Sequence, residues 1–99
     1  MITRIITLET VVQASPDQVS CDLQGEAAIL NLKTGVYYCL DPVGAAVWKL
    51  VEQRCTLASI RDVILAEYDV DAARCERDLF ELLEVLAAEG LIDVRFAVA

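Results

Sequence analysis

The fold is decided within residues 33–42, which read Lys33-Thr34-Gly35-Val36-Tyr37-Tyr38-Cys39-Leu40-Asp41-Pro42. The first three residues predict a hairpin loop, because glycine adopts the positive φ that such a loop needs. The next five, Val36–Leu40, are β-branched, aromatic or apolar and give the strongest strand signal in the chain. Asp41 before Pro42 predicts a helix start, with the carboxylate as the cap and proline in the first position. We therefore expect the chain to change from strand to helix at residue 41.

Upstream of this stretch the sequence predicts further strands. Val19–Leu23 and Glu26–Leu32 are separated by Gln24-Gly25, and the second of them is expected to form a hairpin with Val36–Leu40. Residues 8–14 are also β-prone, so one or two N-terminal strands should lie alongside. The strand that ends such a meander has one free edge.

Downstream the apolar residues recur at helical spacing. The first helix runs to about Gln53, and Thr56 caps a second. The third spans about residues 72–89 and ends at Gly90, after which Leu91 can fold back onto the helix and begin a short extended tail over residues 91–96. The predicted core positions are Val43, Val47, Leu50 and Val51 in the first helix, and Cys75, Leu79, Leu82, Leu83 and Leu86 in the third.

Three strands followed by three helices predict an α+β fold, with one domain over residues 1–99. The order is compatible with a winged helix-turn-helix, in which a three-stranded antiparallel sheet is followed by three helices and the last two helices form the helix-turn-helix pair.

Composition and charge indicate which partners the protein binds and in which compartment it acts. The formal net charge is −8, and an acidic chain repels phosphate backbones, which disfavours nucleic acid as a partner. Residues 1–12 carry charges and no long apolar run, so they are not interpreted as a signal peptide, and no segment approaches the roughly 20 apolar residues of a membrane span. Four cysteines without a C-x-x-C spacing indicate reduced, mostly packed thiols in a cytoplasmic protein.

The residue types that catalysis needs are missing. The chain has no histidine, the commonest general base, so a cysteine nucleophile would lack its usual partner. Its four glycines are too far apart for a phosphate-binding loop, and the carboxylates of the last helix occupy solvent-facing positions. We therefore predict that the protein is not an enzyme and binds no metal or cofactor.

A free strand edge predicts a binding site for an extended peptide, which pairs with the strand through its backbone and places side chains in apolar pockets. At about 100° per residue, Phe80 lies on the shoulder of the core face of the last helix. It is either a boundary residue under a loop or one wall of a groove whose other wall is the strand. In the second interpretation, Arg77, Asp78 and Glu84 interact with charged groups of the peptide. The candidate peptide-binding residues are Val36, Tyr37, Tyr38, Cys39, Leu40, Arg77, Asp78, Phe80 and Glu84.

Two blocks of the sequence resemble the PqqD-like family. Residues 35–50 follow the family pattern G-x-Y-x-x-L-x-x-x-G-x-x-x-W-x-L, and Gly25-Glu26 followed by Leu30 is similar to the G-E-x-x-x-L strand that precedes it. Residues 77–92 resemble the closing helix of the family, which often has Phe where this chain has Leu82; here the aromatic residue is Phe80. The resemblance covers about residues 19–93, which we take as the core of the domain.

The resemblance implies a winged-helix-like fold and a role as the recognition element for ribosomally made, post-translationally modified peptides. In such proteins the leader peptide of the precursor adds as a strand beside the third strand, against the third helix. The domain then presents the precursor to a partner enzyme, which is a cysteine protease, a cyclase or a radical enzyme. The lasso-peptide branch often shows G-x-Y-Y-x-L-x-x-x-G in a chain this short, so a leader peptide of that class is the expected partner.

Two alternatives remain open from the residues. A winged-helix DNA-binding or transcription-associated domain needs a basic recognition helix, but the last helix has only Arg74 and Arg77 against at least five carboxylates. A structural subunit of an enzyme complex would have no peptide ligand of its own.

Overall fold

The computed structural model describes residues 6–95. Its elements in chain order are β1 (Val11–Ala14), β2 (Gln18–Leu23), β3 (Glu26–Asn31), β4 (Tyr37–Leu40), α1 (Pro42–Glu52), β5 (Cys55–Thr56), α2 (Leu57–Glu67), α3 (Ala72–Ala88) and β6 (Ile92–Arg95). The predicted α+β fold, with a three-stranded antiparallel sheet and three helices, is confirmed.

The main sheet has the order β2-β3-β4 and consists of two consecutive hairpins. The first turns at Gln24 and Gly25, whose φ values of 55° and 89° match the twist of a two-residue hairpin turn. The second turns through Gly35, with a φ of 75°, as the sequence predicted. Ile29 lies opposite Tyr38, so both side chains face the helices.

A second small sheet has the order β5-β1-β6, which the sequence did not predict. Residues 8–14 were expected beside the main hairpin, but β2 alone takes that place and β1 pairs with the other two strands. The Ser15 N–H donates to the Leu91 C=O at 3.0 Å, which holds the chain away from the main sheet just before Pro16. The tail predicted over residues 91–96 is strand β6 up to Arg95, and Phe96 lies outside the described residues.

The core lies between the main sheet and the three helices. Trp48 and Val51 of α1 are buried, and so are four residues of the predicted stripe of α3. Val43 was predicted in the core, but 40% of its surface is exposed, because it lines the surface groove described below. The largest fully buried side chains are Trp48, Ile29, Leu57, Ile60, Leu83 and Leu91.

The predicted helix ends are confirmed. Asp41, Thr56 and Asp71 cap the three helices, each accepting a backbone N–H from the first turn. Helix α3 ends at Gly90, where the Leu91 N–H donates to the Leu86 C=O at 2.9 Å in a Schellman arrangement.

The prediction of mostly packed thiols is only half right. Cys55 and Cys75 are partly or fully buried, whereas Cys21 and Cys39 are exposed, and all four are free. The two exposed cysteines flank Ala28 on neighbouring strands and face away from the helices, because side chains alternate between the faces of a sheet. Between residues 6 and 95, no helix has both the length and the apolar character needed to cross a membrane.

Candidate peptide-binding groove

Strand β4 lies at one edge of the main sheet, and within the described residues it pairs only with β3. In an antiparallel pair, successive residues direct their backbone groups alternately toward the neighbouring strand and away from it. The Asn31 N–H donates to the Val36 C=O at 2.9 Å, which sets this alternation. The backbone of Tyr38 therefore faces β3, whereas the N–H and C=O groups of Tyr37 and Cys39 point to the free edge. An added strand can pair with these two residues.

A groove of about 800 Å³ runs beside this edge. It lies between the end of β4, the start of α1, the loop before α3 and the first half of α3. Gly44 allows α1 to lie close to the end of β4, because a Cβ at this position would be 3.1 Å from the Cβ of Leu40. Close packing of α1 against β4 thus explains why glycine stands at this position, and Gly44 also forms part of the groove wall.

The groove has an apolar lining. The apolar side chains that line it are Leu40, Val43, Val47, Ile64, Val70, Cys75, Leu79 and Leu82. Burial raises the pKa of the Cys75 thiol, and the nearby carboxylates of Glu76 and Asp78 raise it further. The thiol is thus kept protonated and belongs to the apolar surface rather than acting as a nucleophile.

Charged groups also line the groove. Four carboxylates and one guanidinium line it: Asp41, Asp69, Asp71, Asp78 and Arg74. Asp41 and Asp71 are helix caps, and Arg74 Nε lies 3.7 Å from Asp78 Oδ2. Arg77 Nε, outside the lining, lies 3.9 Å from Asp78 Oδ1. The five lining residues carry more negative than positive charge and are called the acidic mouth below.

At its other end, α3 is tied to the sheet. The Tyr38 hydroxyl donates to Glu89 Oε2 at 2.5 Å, and Asn31 Nδ2 donates to the Glu89 C=O at 2.8 Å. The hydrogen bond to Glu89 raises the pKa of Tyr38, and partial burial and the negative charge of Glu89 act in the same direction. These contacts hold the end of α3 against the sheet, and the groove lies along the other half of the helix.

The opposite edge of the sheet, strand β2, has much less space beside it. The cavity there is about 120 Å³. It is bridged by two side-chain contacts from β2 to α1: Ser20 to Glu52 at 3.3 Å and Lys49 to Asp22 at 3.3 Å. The larger groove, which can take up the side chains of an added strand, therefore lies beside β4.

The structure brings some of the predicted site residues together and separates others. Cys39, Leu40 and Asp78 line the groove, and Val36, Tyr37 and Tyr38 lie on the same strand or just before it. The other three candidates, Arg77, Phe80 and Glu84, are not part of the lining; Phe80 is mostly buried against the core on the opposite flank of α3.

Sequence reasoning missed Val43, Arg74 and Leu82 as groove residues. One signal pointed to the correct flank of α3: the family often has an aromatic residue at the position of Leu82. Among residues 6–95, no group of three or more His, Cys, Asp or Glu side chains is arranged to hold a metal ion.

A free sheet edge beside an apolar groove is typical of domains that bind peptides by strand addition. The chain belongs to the PqqD family, since the family model for coenzyme PQQ synthesis protein D matches residues 26–92. The resemblance read from the sequence is therefore confirmed.

Two solved structures share this fold. TbiB1 in complex with the TbiA(beta) leader peptide is 38% identical, with a TM-score of 0.79 over 87% of this chain and 99% of that chain. A lasso peptide synthetase B1 complexed with the leader peptide is 20% identical, with a TM-score of 0.74 over 83% and 96% of the two chains, and at this identity shows the fold alone. No curated protein sequence matches the chain.

Proposed function

We propose that this chain captures the leader segment of a ribosomally made precursor peptide on the free edge of β4 and presents it to a separate maturation enzyme. The observation that carries the proposal is the free backbone of Tyr37 and Cys39 beside the groove. The similarity to TbiB1, solved in complex with a leader peptide, supports a leader peptide as the ligand, and the G-x-Y-Y-x-L-x-x-x-G pattern of residues 35–44 favours the lasso class. A cysteine protease, a cyclase or a radical enzyme is the expected partner enzyme.

Backbone pairing and side-chain burial must both contribute if the site is to bind a flexible peptide with useful affinity. Tyr37 and Cys39 offer about four backbone hydrogen bonds, worth about 0.5–1.5 kcal/mol each. Binding must also offset the ordering of a flexible peptide, which costs several kcal/mol. Two apolar side chains buried in the groove, at about 1.5–3 kcal/mol each, supply the remainder. The apolar lining is therefore as necessary as the open edge.

The proposed role is non-catalytic. The one cysteine in the groove lining whose thiol is buried, Cys75, is held protonated, and the chain has no histidine to activate it. The acidic mouth also disfavours a phosphate backbone as the ligand. We expect the protein to act in the cytoplasm, because four free cysteines, two of them exposed, suit a reducing compartment.

A proline at Cys39 tests the proposal. Proline is tolerated at an edge position whose N–H points to solvent, so Cys39→Pro should fold, yet it lacks the donor that the peptide needs. We expect the dissociation constant for the leader segment of the precursor encoded beside this chain to rise at least about tenfold. Fluorescence anisotropy with the labelled segment measures it, and circular dichroism confirms the fold.

Two control variants make the result specific. Cys39→Ala keeps the backbone donor and should bind as the wild type does. Ser20→Pro places proline at a residue of β2 whose backbone N–H points away from β3. This direction follows because the neighbouring residue, Cys21, is the one whose backbone groups pair with Ala28. Full binding by folded Cys39→Pro, or loss of binding by Ser20→Pro alone, would show that β4 is not the docking edge.

A further inference from the structure

The face of the main sheet that points away from the helices is apolar, and within the described residues it is uncovered. Strand register arranges its side chains in rows that cross β2, β3 and β4. The two complete rows are Val19-Leu30-Tyr37 and Cys21-Ala28-Cys39, called the outer face below. The three side chains of the first row are 55%, 37% and 66% exposed, and neither row holds a charged residue. An exposed apolar patch of this kind marks a surface that contacts a partner.

The outer face continues into the edge that captures the leader segment under the proposed function. Tyr37 and Cys39 belong to the outer face through their side chains and to the free edge through their backbone groups. Residues of an added strand that lie opposite these two join the same rows, so their side chains also point outward. The alternate side chains point to the side of the helices, where the groove lies. A captured segment therefore extends the outer face by one strand.

Size and charge favour a transient partner over a second copy of this chain. Strands lie about 4.8 Å apart and rise about 3.3 Å per residue, so three strands of this length cover roughly 14 by 20 Å. A stable dimer buries about 800 Å² on each partner, well above this footprint. Two copies would each carry a formal net charge of −8, and their repulsion opposes self-association.

We propose that the maturation enzyme docks, through an apolar patch of its own, on the outer face together with the outward side chains of the captured segment. This inference rests on the proposed function and names the surface by which the captured peptide reaches its enzyme. The surface is complete only after capture, so the enzyme distinguishes loaded from empty copies of this protein. Glu26, which pairs with Leu23 on the same side of the sheet, favours basic groups at the border of the enzyme's patch.

Polar substitutions on the outer face test the inference. The double variant Val19→Thr with Leu30→Thr keeps strand propensity, and neither residue lines the groove. We expect the Kd between the purified maturation enzyme encoded beside this chain and the variant loaded with leader segment to rise about tenfold, because the new hydroxyls would be buried without partners. In the processing reaction, KM for the loaded complex should rise and kcat should stay unchanged. Affinity for the labelled leader segment should stay within about twofold of the wild type.

The matched control is Val85→Thr, the same change at nearly the same exposure. Val85 is 54% exposed, but it lies on α3 and outside the groove lining. This variant should bind both the leader segment and the enzyme as the wild type does. Circular dichroism confirms that each variant is folded.

A serine scan of the leader segment gives a second test that needs no protein variant. Within the captured stretch, the effects should alternate from one residue to the next. Serine at a groove-facing position should weaken capture by this protein. Serine at an outward position should leave capture unchanged and raise the KM of the enzyme for the loaded complex. The inference fails if no position affects the enzyme alone.

The outcomes separate this inference from the proposed function. If the leader segment binds the wild type and the enzyme binds the loaded double variant as tightly as loaded Val85→Thr, the inference is overturned and strand capture stands. Loss of leader affinity by the folded double variant also overturns the inference, because the outer face would then serve capture itself. A wild-type dimer in sedimentation that the double variant lacks would show that a second copy covers the face, with the same consequence. If no leader segment binds the wild-type protein, both are overturned.

Discussion

The flank of α3 that faces the peptide can be tested by truncating Leu82 and Phe80 separately. Both residues are mostly buried, but Leu82 lines the groove, whereas Phe80 packs against the core on the opposite flank. Leu82→Ala should therefore weaken peptide binding, and Phe80→Ala should mainly weaken the fold. Val85, which is 54% exposed and outside the groove lining, is the control position on the same helix.

The magnitudes follow from burial. Truncating a leucine removes about 2.4 kcal/mol of burial if the side chain is wholly buried, at about 0.8 kcal/mol per methylene. Most of the Leu82 surface is buried in the free protein, and the exposed remainder becomes buried only under the peptide. Leu82→Ala should thus cost about 1.5–2 kcal/mol in stability and about 0.5–0.8 kcal/mol in binding, roughly a two- to fourfold change in Kd.

For Phe80, the whole effect should appear in stability. Full truncation of a buried phenylalanine costs about 3–5 kcal/mol, so Phe80, which is mostly buried, should cost about 2–3 kcal/mol, or roughly 8–24 °C in Tm. Its peptide affinity should stay within about twofold of the wild type. Val85→Ala should change neither quantity measurably.

Thermal unfolding by circular dichroism gives the stabilities, and calorimetric titration with the leader segment, well below the lowest Tm, gives the affinities. The reasoning fails if Phe80→Ala loses affinity while Leu82→Ala keeps it. That result would place the peptide on the far flank of α3, beside Arg77 and Glu84.

Three further predictions concern the fold. Trp48→Ala should lower the free energy of unfolding by about 3–5 kcal/mol, because the side chain is only 2% exposed; chemical denaturation measures this, and a loss below 1 kcal/mol would contradict the packing. Tyr38 has a raised pKa in the fold, so its hydrogen bond to Glu89 stabilises fully below about pH 10 and is lost as the pH rises through the folded pKa. The stability difference between the wild type and Tyr38→Phe should therefore shrink from pH 8 to pH 11, and a constant difference would refute the linkage. The Cys75 thiol should react with a disulfide reagent at pH 8 more slowly than either exposed cysteine, as single-cysteine variants would reveal; equal rates would argue against its burial.

Much of the fold could be predicted because its signals are local. The cap at Asp41, the loop at Gly35 and the helix end at Gly90 each depend on a few neighbouring residues, and all lie where the sequence placed them. The free edge of β4 also followed, since the last strand of a meander has no further strand beside it. The order of the strands along the chain therefore predicted that β4 could bind a further strand.

Other features depended on contacts between distant residues. Strand β5 has two residues and carries no periodic signal, so only its pairing with β1 reveals it. Val43 has the spacing of a core residue, yet it lies exposed, because the packing of β4, α1 and α3 leaves a groove at that position.

The sequence by itself determined the three helices, the strands of the main sheet and the open edge of β4, because turns, caps and apolar periodicity act over a few residues. Only the tertiary structure decided which side of α3 faces that edge. Helical spacing gives the angle between Phe80 and Asp78 but not the rotation of the helix in the domain. That rotation is fixed by packing and by contacts such as Asn31 and Tyr38 to Glu89, 58 and 51 residues apart in the chain.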